Sequence, residues 1–199
     1  MARRGTAPMR NPTQPLTTIE EIEKAALEVF AERGFDDPTV EEIASAAGIS
    51  RRTFFRYFPT KADIPWGNFS ALLPKMDAWF ASAPDDRPMF EVIAEGIVRF
   101  NRVHADGPVA HRERMTLIMQ TPALVANAAL RNADWSAVIA RYAARRLDEP
   151  PEALAPQLVA HIALGASSAA YTEWLRDDQS DLVALVHRAF AMVQFEPEH

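Results

Sequence analysis

The densest group of side chains with evident binding chemistry lies between residues 49 and 62, in the sequence ISRRTFFRYFPTKA. It holds four basic residues and no acidic residue. On an α-helix, where successive residues are about 100° apart, Phe54 and Phe58 share one face, and Arg52 and Arg56 lie on the opposite face. Such a helix can pack through its aromatic side and bind a polyanion through the other, because guanidinium groups donate hydrogen bonds to phosphate and to guanine.

Two interpretations of this basic face are open when it is considered alone. An arginine pair on a helix is usually a solvated surface, and the phenylalanines are best explained as core residues that hold the face in position. The preceding helix, TVEEIASAAG, favours a DNA contact, because it begins at Thr39 with a capping box, contains small residues and ends at Gly48. Ser50 then caps the basic helix, and both caps direct backbone N–H groups toward phosphate. This order is typical of a helix-turn-helix, whose second helix enters the major groove.

The rest of the chain shows helical periodicity. An amphipathic helix, TIEEIEKAALEVFAERG, precedes the helix-turn-helix and starts with Thr18 and Glu21 at capping-box spacing. Beyond Pro59 no alternating strand pattern of useful length occurs, so the chain is predicted to be all-α with about nine helices. Pro65 and Gly67 interrupt the first helix after Pro59, and a kink or a new helix start is expected there. The later helices are expected near residues 60–82, 88–105, 109–120, 122–147, 152–176 and 179–194.

Composition and charge restrict the classes of function. The chain has 199 residues, 48% of them hydrophobic, and no cysteine, so disulfides and thiolate chemistry are excluded and a cytoplasmic location is expected. No apolar run is long enough to span a bilayer, and no spacing typical of a metal site occurs. The net charge is -6, but the first 19 residues contain three arginines and no acid. This predicts a flexible basic arm over residues 1–17.

The sequence GFDDPTVEEIASAAGISRRTFFRYFPTKADI resembles the N-terminal DNA-binding region of the TetR-like bacterial transcriptional regulators, and the likeness covers residues 18–64. Many such regulators carry Tyr at the position of Phe55, so one usual phosphate contact is missing here, and Tyr57 is the alternative source of a hydroxyl. The resemblance implies contacts with double-stranded operator DNA from Thr39, Ser50, Arg51, Arg52, Thr53, Phe55, Arg56, Tyr57 and Lys61, to which we add Arg3 and Arg4 of the basic arm.

The same resemblance implies the organisation of the chain beyond its arm. It implies a helix-turn-helix DNA-binding domain over 18–64 and a ligand-binding and dimerisation domain over 65–199. Such regulators form homodimers through their last two long helices and hold a small-molecule effector in the C-terminal domain. The sequence LGASSAA, residues 164–170, suits close helix packing, and the last helix is strongly apolar. The alternative is that these two helices only complete the core of the monomer.

The extension DIPWG, residues 63–67, further resembles regulators associated with the mycofactocin redox-cofactor clusters of actinobacteria. This likeness suggests an acyl-thioester of coenzyme A as the effector, and no bound cofactor is expected. The break in DIPWG is a candidate joint between the DNA-reading and ligand-binding domains. The residues able to line an apolar tunnel or to meet phosphates at its mouth are Trp79, Phe80, Phe100, Met115, Met119, Trp135, Trp174, Arg99, Arg102, Arg112, Arg114, His104 and His111. Core packing of the apolar residues and solvated positions for the others are the alternatives.

These features support one leading hypothesis and two alternatives. The leading hypothesis is a ligand-responsive transcriptional repressor, a homodimer whose third helices enter major grooves and leave the operator when effector binds. The second is a small-molecule carrier or enzyme with an incidental helix-turn-helix. Against it stands the lack, in the sequence, of a nucleophile–base constellation, a Gly-rich phosphate loop or a metal cluster. The third, a non-specific nucleoid-type binder, conflicts with the net negative charge.

Overall fold

The structure of the protein is a computed structural model that describes residues 18–101 and 107–193. Within these ranges the chain forms nine α-helices, one 3₁₀ helix and no strand, which confirms the predicted all-α class. The 3₁₀ helix, Lys61–Trp66, lies between the third and fourth α-helices. The chain divides into two compact units between Pro59 and Thr60. The α-helices are α1 (Ile19–Arg33), α2 (Val40–Ala46), α3 (Arg51–Tyr57), α4 (Phe69–Ala81), α5 (Met89–Asn101), α6 (Gly107–Gln120), α7 (Pro122–Leu147), α8 (Leu154–Arg176) and α9 (Leu182–Ala191).

The first unit contains α1, α2 and α3, and each of these helices is capped by a hydroxyl side chain. The Thr18 and Thr39 hydroxyls accept hydrogen bonds from the backbone N–H groups of Glu21 and Glu42. Both glutamates accept the return bond from the threonine backbone, as the capping boxes predict. Ser50 caps α3. The interior of the unit contains Ile22, Ala26, Phe30, Phe35, Ile43, Ala44, Phe54 and Phe58.

A tight turn joins α2 to α3. Gly48 adopts a positive φ of 69°, a conformation that glycine enters without steric cost from a Cβ. The Ile49 N–H donates to the Ala44 carbonyl at 2.9 Å, and the Gly48 N–H donates to the Ser45 carbonyl at 3.0 Å. These bonds satisfy carbonyl groups at the end of α2, as in other glycine-terminated helices. The turn places Ser50 directly before α3.

The chain changes its helical course just after the division between the units. The helix predicted near 60–82 is instead the 3₁₀ helix followed by α4, so the expected break is confirmed. Pro65 lies inside the 3₁₀ helix, and Gly67 turns the backbone with a φ of 52°. The break has a local cause, because proline lacks an N–H donor and glycine enters this φ without strain. Pro74, in contrast, lies inside α4 without ending it.

The second unit contains the 3₁₀ helix and the helices α4 to α9. α7 packs along α8, α8 packs on α9, and α5 contacts both α4 and α9. Its core draws buried residues from α4, α5, α7, α8 and α9. Gly96 on α5 permits a close approach of helices, since a Cβ added there would lie 2.5 Å from Phe80 Cζ and 2.8 Å from Trp79 Cζ3.

Several helix ends in the second unit differ from the predicted ones by a few residues. α9 begins at Leu182 rather than near 179, because Asp181 Oδ1 accepts a hydrogen bond from the Val183 N–H at 2.9 Å and caps the helix. α8 begins at Leu154 rather than near 152. The predicted end of the helix near 105 lies outside the described residues. These shifts leave the order of the helices unchanged.

Candidate functional site

The outer surface of α3 carries the arginines expected there. Arg52 and Arg56 are exposed, whereas Phe54 and Phe58 are buried with their ring centroids 5.8 Å apart. The separation into a core face and a cationic face is therefore confirmed for these four residues. A contact of the arginines with DNA stays a prediction.

Arg51 and Arg56 on α3 each lie against a neighbouring aromatic ring. Arg51 Cζ lies 5.4 Å from the centroid of the Phe55 ring, and its Nε lies 3.0 Å from Glu41 Oε1 on α2. Arg56 Cζ lies 4.8 Å from the Tyr57 ring centroid, and its Nη2 donates to the Tyr57 hydroxyl at 3.0 Å. These cation–π contacts favour guanidinium positions along the surface of the helix. The Arg51 guanidinium therefore contacts both the Phe55 ring and the Glu41 carboxylate. The Tyr57 hydroxyl accepts a hydrogen bond from Arg56.

The remaining candidate contacts in the first unit lie at helix starts. Ser50 Oγ accepts a hydrogen bond from the Thr53 N–H at 3.1 Å and lies 2.9 Å from Thr53 Oγ1. The Thr39 hydroxyl donates to Glu42 Oε2 at 2.8 Å. Hydrogen bonds from the Thr39 backbone and from Arg33 lower the pKa of Glu42 to about 2, so this carboxylate stays ionised and caps α2 at neutral pH. Both candidate hydroxyls therefore have a structural role as caps.

Three candidate DNA contacts lie outside the first unit's described residues. Lys61 is half-buried at the start of the 3₁₀ helix and belongs to the second unit. Arg3 and Arg4 lie outside the described residues. The domain limits expected at residues 17 and 64 stay predictions.

A cavity of about 350 Å³ lies within the second unit. Its wall is built from the 3₁₀ helix and from α4, α5, α6, α7 and α8. This volume is in the range of small-molecule sites, about 300–1,000 Å³. The apolar and aromatic wall residues are Pro65, Trp66, Phe69, Ile97, Phe100, Met115, Ile118, Met119, Val125, Ala128, Trp135, Leu164 and Tyr171. The polar ones, with no carboxylate in the described wall, are His111, Arg114, Arg131, Asn132, Ser167 and Ser168.

Arg131 on α7 links the cavity wall to the 3₁₀ helix. Its Nη2 lies 2.5 Å from Asp63 Oδ1, and its Cζ lies 5.9 Å from the Phe69 ring centroid. The side chains of Arg131 and Asp63 are 21% and 12% exposed, so the pair is largely desolvated and each charge needs the other. Trp66 Nε1, in the same wall, is buried and makes no hydrogen bond with the described part of the chain.

A second polar cluster joins α6 to α8 beside the cavity. His111 Nε2 lies 3.1 Å from the Tyr171 hydroxyl, and the His111 ring lies 5.5 Å from the Trp174 ring centroid. Burial raises the pKa of Tyr171 above its ordinary value, so the phenol stays protonated. Arg112 Cζ lies 4.2 Å from the Trp174 ring centroid, and the guanidinium donates to the Trp174 carbonyl and, at 3.2 Å, to Asp178 Oδ1. Arg112 therefore fastens α6 to the end of α8.

The structure brings some of the candidate ligand residues together and separates others. The candidates in the cavity wall are Phe100, Met115, Met119, Trp135, His111 and Arg114. The described candidates elsewhere are Trp79, Phe80, Trp174 and Arg112, which pack in or against the core or bind the end of α8, and Arg99, which is exposed. Arg102 and His104 lie outside the described residues. Ligand contact stays a prediction for all of them.

Packing explains why three aromatic candidates are not in the wall. The Phe80 ring is buried 4.8 Å from the Tyr142 ring centroid, and the Trp79 ring lies 5.0 Å from that of Phe80. The Trp174 ring is buried beneath the Arg112 guanidinium. Hydrophobicity marks such residues as interior, but tertiary packing decides between core and cavity wall.

Sequence analysis did not identify Trp66, Phe69 and Arg131 as candidate ligand contacts. Arg131 is the only charged residue between 115 and 133 and lies one helical turn before Trp135. A lone charge in an apolar helical stretch is costly to bury without a partner, so it is a signal of a specific contact. Trp66 belongs to the extension that the sequence marked only as a joint.

Other classes of site find no support among the residues that the structure describes. No group of three or more His, Cys, Asp or Glu side chains there is placed to hold a metal ion. None of the described helices has the length and apolarity to cross a membrane. Within the described ranges, the basic face of α3 and the cavity remain as candidate sites.

Comparison with known families identifies the relatives of this chain. The family described as "MftR C-terminal domain" matches residues 87–196, and the family described as "Bacterial regulatory proteins, tetR family" matches residues 22–64. MftR of Mycobacterium tuberculosis, named for the transcriptional regulation of mycofactocin biosynthesis, is 38% identical over 177 residues, which cover 89% of each chain. Both resemblances inferred from the sequence are confirmed.

Solved structures show the same fold. FadR of Bacillus subtilis in complex with stearoyl-CoA has a TM-score of 0.62 and 22% identity, and the match covers 87% of this chain and 96% of that one. FadR of Thermus thermophilus, a TetR family repressor in complex with lauroyl-CoA, has a TM-score of 0.55 and 23% identity, with 91% and 98% covered. At this identity the likeness shows the fold alone.

Proposed function

The chain belongs to the TetR family of bacterial regulatory proteins and is a DNA-binding transcriptional regulator, and from this premise we propose that it is a repressor. It binds operator DNA as a homodimer and leaves it when an acyl-thioester of coenzyme A enters the cavity of the second unit. It acts in the cytoplasm, where the chromosome is, and by binding alone rather than by catalysis. The observation that carries the proposal is the cationic outer face of α3 on a buried aromatic face.

The DNA-reading part rests on how α3 is held. Because Phe54 and Phe58 anchor one side in the interior, Arg52 and Arg56 face outward on a short helix that begins at a cap. The family places this helix in the major groove, where an arginine can donate two hydrogen bonds to guanine, each good pair contributing about 1–3 kcal/mol of discrimination.

The effector class rests on the cavity and on the solved relatives. The wall is largely apolar, which suits an acyl chain, and its charged residues are Arg114 and Arg131, which suit carbonyl or acidic oxygens. Two structures with the same fold are complexes with stearoyl-CoA and lauroyl-CoA. For these reasons a long-chain acyl-coenzyme A is the proposed effector class.

The homodimer rests on one side of α8. Leu154, Leu158, His161, Gly165 and Ser168 are exposed and recur every three or four residues, so they form a stripe along the helix. A Cβ added to Gly165 would meet no atom within 4 Å in the single chain. The two leucines offer apolar contact area and the small residues Gly165 and Ser168 permit close approach of a second copy of α8.

DNA reading is tested by removing single arginines from α3. We expect Arg52→Ala and Arg56→Ala each to weaken binding to a duplex selected from random sequence by the unaltered protein. The expected loss is about 5- to 100-fold, from the loss of base or phosphate hydrogen bonds. The thermal midpoint should stay unchanged, because both side chains are exposed. Lys75→Ala on α4, also exposed, is the control. Full DNA affinity in both arginine variants would reject α3 as the reading helix.

The effector is tested with lauroyl-CoA and stearoyl-CoA. A ligand that binds only the folded protein raises the thermal midpoint by mass action, and we expect both thioesters to do so and to release DNA. Coenzyme A without an acyl chain is the control and should have a much smaller effect. A thioester that raises the midpoint but leaves DNA bound would favour the carrier hypothesis, and no shift with either thioester would reject this effector class.

The dimer is tested at Gly165. A side chain at this position starts from a Cβ that meets no atom of the single chain within 4 Å, whereas a large one clashes with a helix packed against the stripe, so Gly165→Trp should raise the dimer dissociation constant at least about tenfold. Gly165→Ala, which adds only a Cβ, is the matched control and should leave the dimer intact. Sedimentation velocity measures both. An unchanged dimer in the Trp variant would place the interface elsewhere.

A further inference from the structure

Arg131 lies where the cavity wall meets the segment that leads to the DNA-binding unit. Its guanidinium bonds Asp63 at 2.5 Å through Nη2, whereas its Nε is buried and makes no hydrogen bond within the described ranges. Guanidinium has five donors arranged as a fork and can bond two oxygen partners at once only if both fit its plane. Arg131 therefore has donors beyond those that Asp63 uses.

Asp63 connects this arginine to the backbone at the start of the second unit. While Oδ1 accepts from Arg131, Oδ2 accepts from the Thr60 N–H at 2.9 Å and from the Thr60 hydroxyl at 2.8 Å. Thr60 directly follows Pro59, the last residue of the first unit. One carboxylate thus holds the first turn of the 3₁₀ helix and the charged group of the cavity wall together.

The burial of this pair makes it sensitive to a competing anion. Asp63 is only 12% exposed, so its charge depends on Arg131 and on the Thr60 donors rather than on water. A second negative or strongly polar oxygen that bonds the remaining donors of the same guanidinium repels the Asp63 carboxylate and weakens its pairing with Arg131. If Asp63 then turns away, the bonds to Thr60 are lost with it, since both oxygens belong to one group.

We propose that an oxygen of the effector, from its thioester or its phosphates, displaces Asp63 from Arg131 and so releases the Thr60 cap at the chain connection to the DNA-binding unit. This inference rests on the proposed function and adds its coupling device. The Arg131–Asp63 pair holds the DNA-binding form, and the effector-bound form has Arg131 on the ligand and the 3₁₀ helix uncapped. Effector and DNA then oppose each other by the same factor in both directions.

The experiment measures lauroyl-CoA affinity and the response in four variants. The response is the ratio of DNA dissociation constants with and without saturating lauroyl-CoA, on the selected duplex. Arg131→Gln and Asp63→Asn break the pair. Arg141→Gln and Asp77→Asn are matched controls, because they alter another α7 ion pair, 3.1 Å long, that is about half exposed and has no residue in the cavity wall.

The two variants of the pair should change the affinity for lauroyl-CoA in opposite directions. Asp63→Asn removes the competitor, so lauroyl-CoA should bind at least about threefold more tightly, whereas Arg131→Gln removes the ligand's donor and should weaken it about tenfold. Both variants should bind DNA more weakly without effector and should lower the response to less than about twofold. The control variants should keep the response of the unaltered protein.

A merely structural ion pair gives a different outcome. It would lower the thermal midpoint in both variants, change lauroyl-CoA affinity in the same direction in both, and leave the response intact, which would overturn the inference. If Arg131→Gln melts below the assay temperature, Arg131→Lys, which keeps the charge but lacks the fork, should still weaken lauroyl-CoA; unchanged affinity there counts against the inference.

Failure of the proposed function is distinguishable from failure of this inference. If the unaltered protein shows no response to lauroyl-CoA, the acyl-thioester proposal falls and the inference with it. If the unaltered protein responds and the pair variants respond equally, only the inference falls. Methyl laurate and coenzyme A identify the oxygen that reaches Arg131. Release of DNA by methyl laurate assigns it to the thioester carbonyl, and release of DNA by coenzyme A assigns it to the phosphates.

Discussion

The two candidate sites differ in where their polar groups come from and in how much water reaches them. The arginines of the basic face of α3 lie on one seven-residue helix, and Arg52 and Arg56 are exposed. The polar groups of the cavity come from separate helices, and the Arg131–Asp63 pair is largely desolvated. Loss of an exposed charge changes the affinity for a partner, whereas loss of a buried, paired charge also changes the stability of the fold. The exposed arginines of the first site are thus separable from folding, and the Arg131–Asp63 pair of the second is not.

The largest effect is expected when Asp63, the acid of the buried pair, is removed. We expect Asp63→Ala to lower the free energy of unfolding of the second unit by about 2–4 kcal/mol, because it leaves Arg131 largely buried without its acid and removes the Thr60 cap. Denaturant unfolding, monitored by far-UV circular dichroism, measures this change. Asp77→Ala, which breaks a half-exposed pair, should cost less than about 1 kcal/mol. Equal costs for the two variants would remove the contrast between buried and exposed charges.

Close packing in the second unit predicts a smaller effect at Gly96. An added Cβ would meet the Phe80 and Trp79 rings at 2.5 and 2.8 Å, and the Phe80 ring is buried against Tyr142. Gly96→Ala should therefore destabilise the second unit by about 1–3 kcal/mol, despite the higher helix propensity of alanine.

The matched control for this change is another helical glycine. Gly165→Ala adds a Cβ that meets no atom of its own chain within 4 Å, so it should stabilise α8 by up to about 1 kcal/mol. Thermal unfolding of both variants measures the two changes in stability. A neutral Gly96→Ala would mean that the helices of the second unit yield easily, which would weaken the argument that its site is tied to packing.

The same contrast explains how far the sequence alone could predict each site. The two faces of α3 follow from helical spacing within seven residues and from a local cap, so Phe54, Phe58, Arg52 and Arg56 were assigned correctly to core and surface. The order of the helices followed from periodicity and proline positions in the same way. These features depend on neighbours along the chain.

The cavity wall depends on neighbours in space. Met115, Met119 and Trp135, for which the sequence left wall and core open, line it, but Trp174, equally apolar, is packed beneath Arg112. Arg131 could be marked as unusual from the sequence, yet its partner Asp63 is 68 residues away. Periodicity shows which side of a helix faces inward, and it does not show where facing helices leave a space.

The salt dependence of DNA binding tests whether Lys61, which lies in the second unit, contacts DNA together with the basic face of α3. If its ammonium group neutralises a phosphate, Lys61→Ala should reduce the slope of log affinity against log salt by about one, since one fewer counterion is released. Lys75→Ala on α4 should leave the slope unchanged. Titrations of the selected duplex between low and moderate salt measure both slopes. An unchanged slope for Lys61→Ala would remove Lys61 from the DNA contacts and sharpen the division between the two sites.

The smallest expected effect is a gain, at the position where this chain departs from many members of its family. The Phe55 side chain is 43% exposed on α3 and lies against Arg51, so Phe55→Tyr adds a hydroxyl at the surface without filling any interior space. A hydrogen bond from that hydroxyl to a phosphate contributes about 0.5–1.5 kcal/mol, and DNA affinity should rise about 2- to 10-fold. Tyr57→Phe is the reciprocal control, because it removes the hydroxyl that Arg56 now bonds. If Phe55→Tyr raises DNA affinity and Tyr57→Phe does not lower it, Tyr57 does not replace the missing contact.

The free energy of unfolding should stay the same in both variants, because an exposed site changes binding and leaves the fold unaffected. A shift in stability as large as the shift in affinity would show that even this surface is not separable from folding.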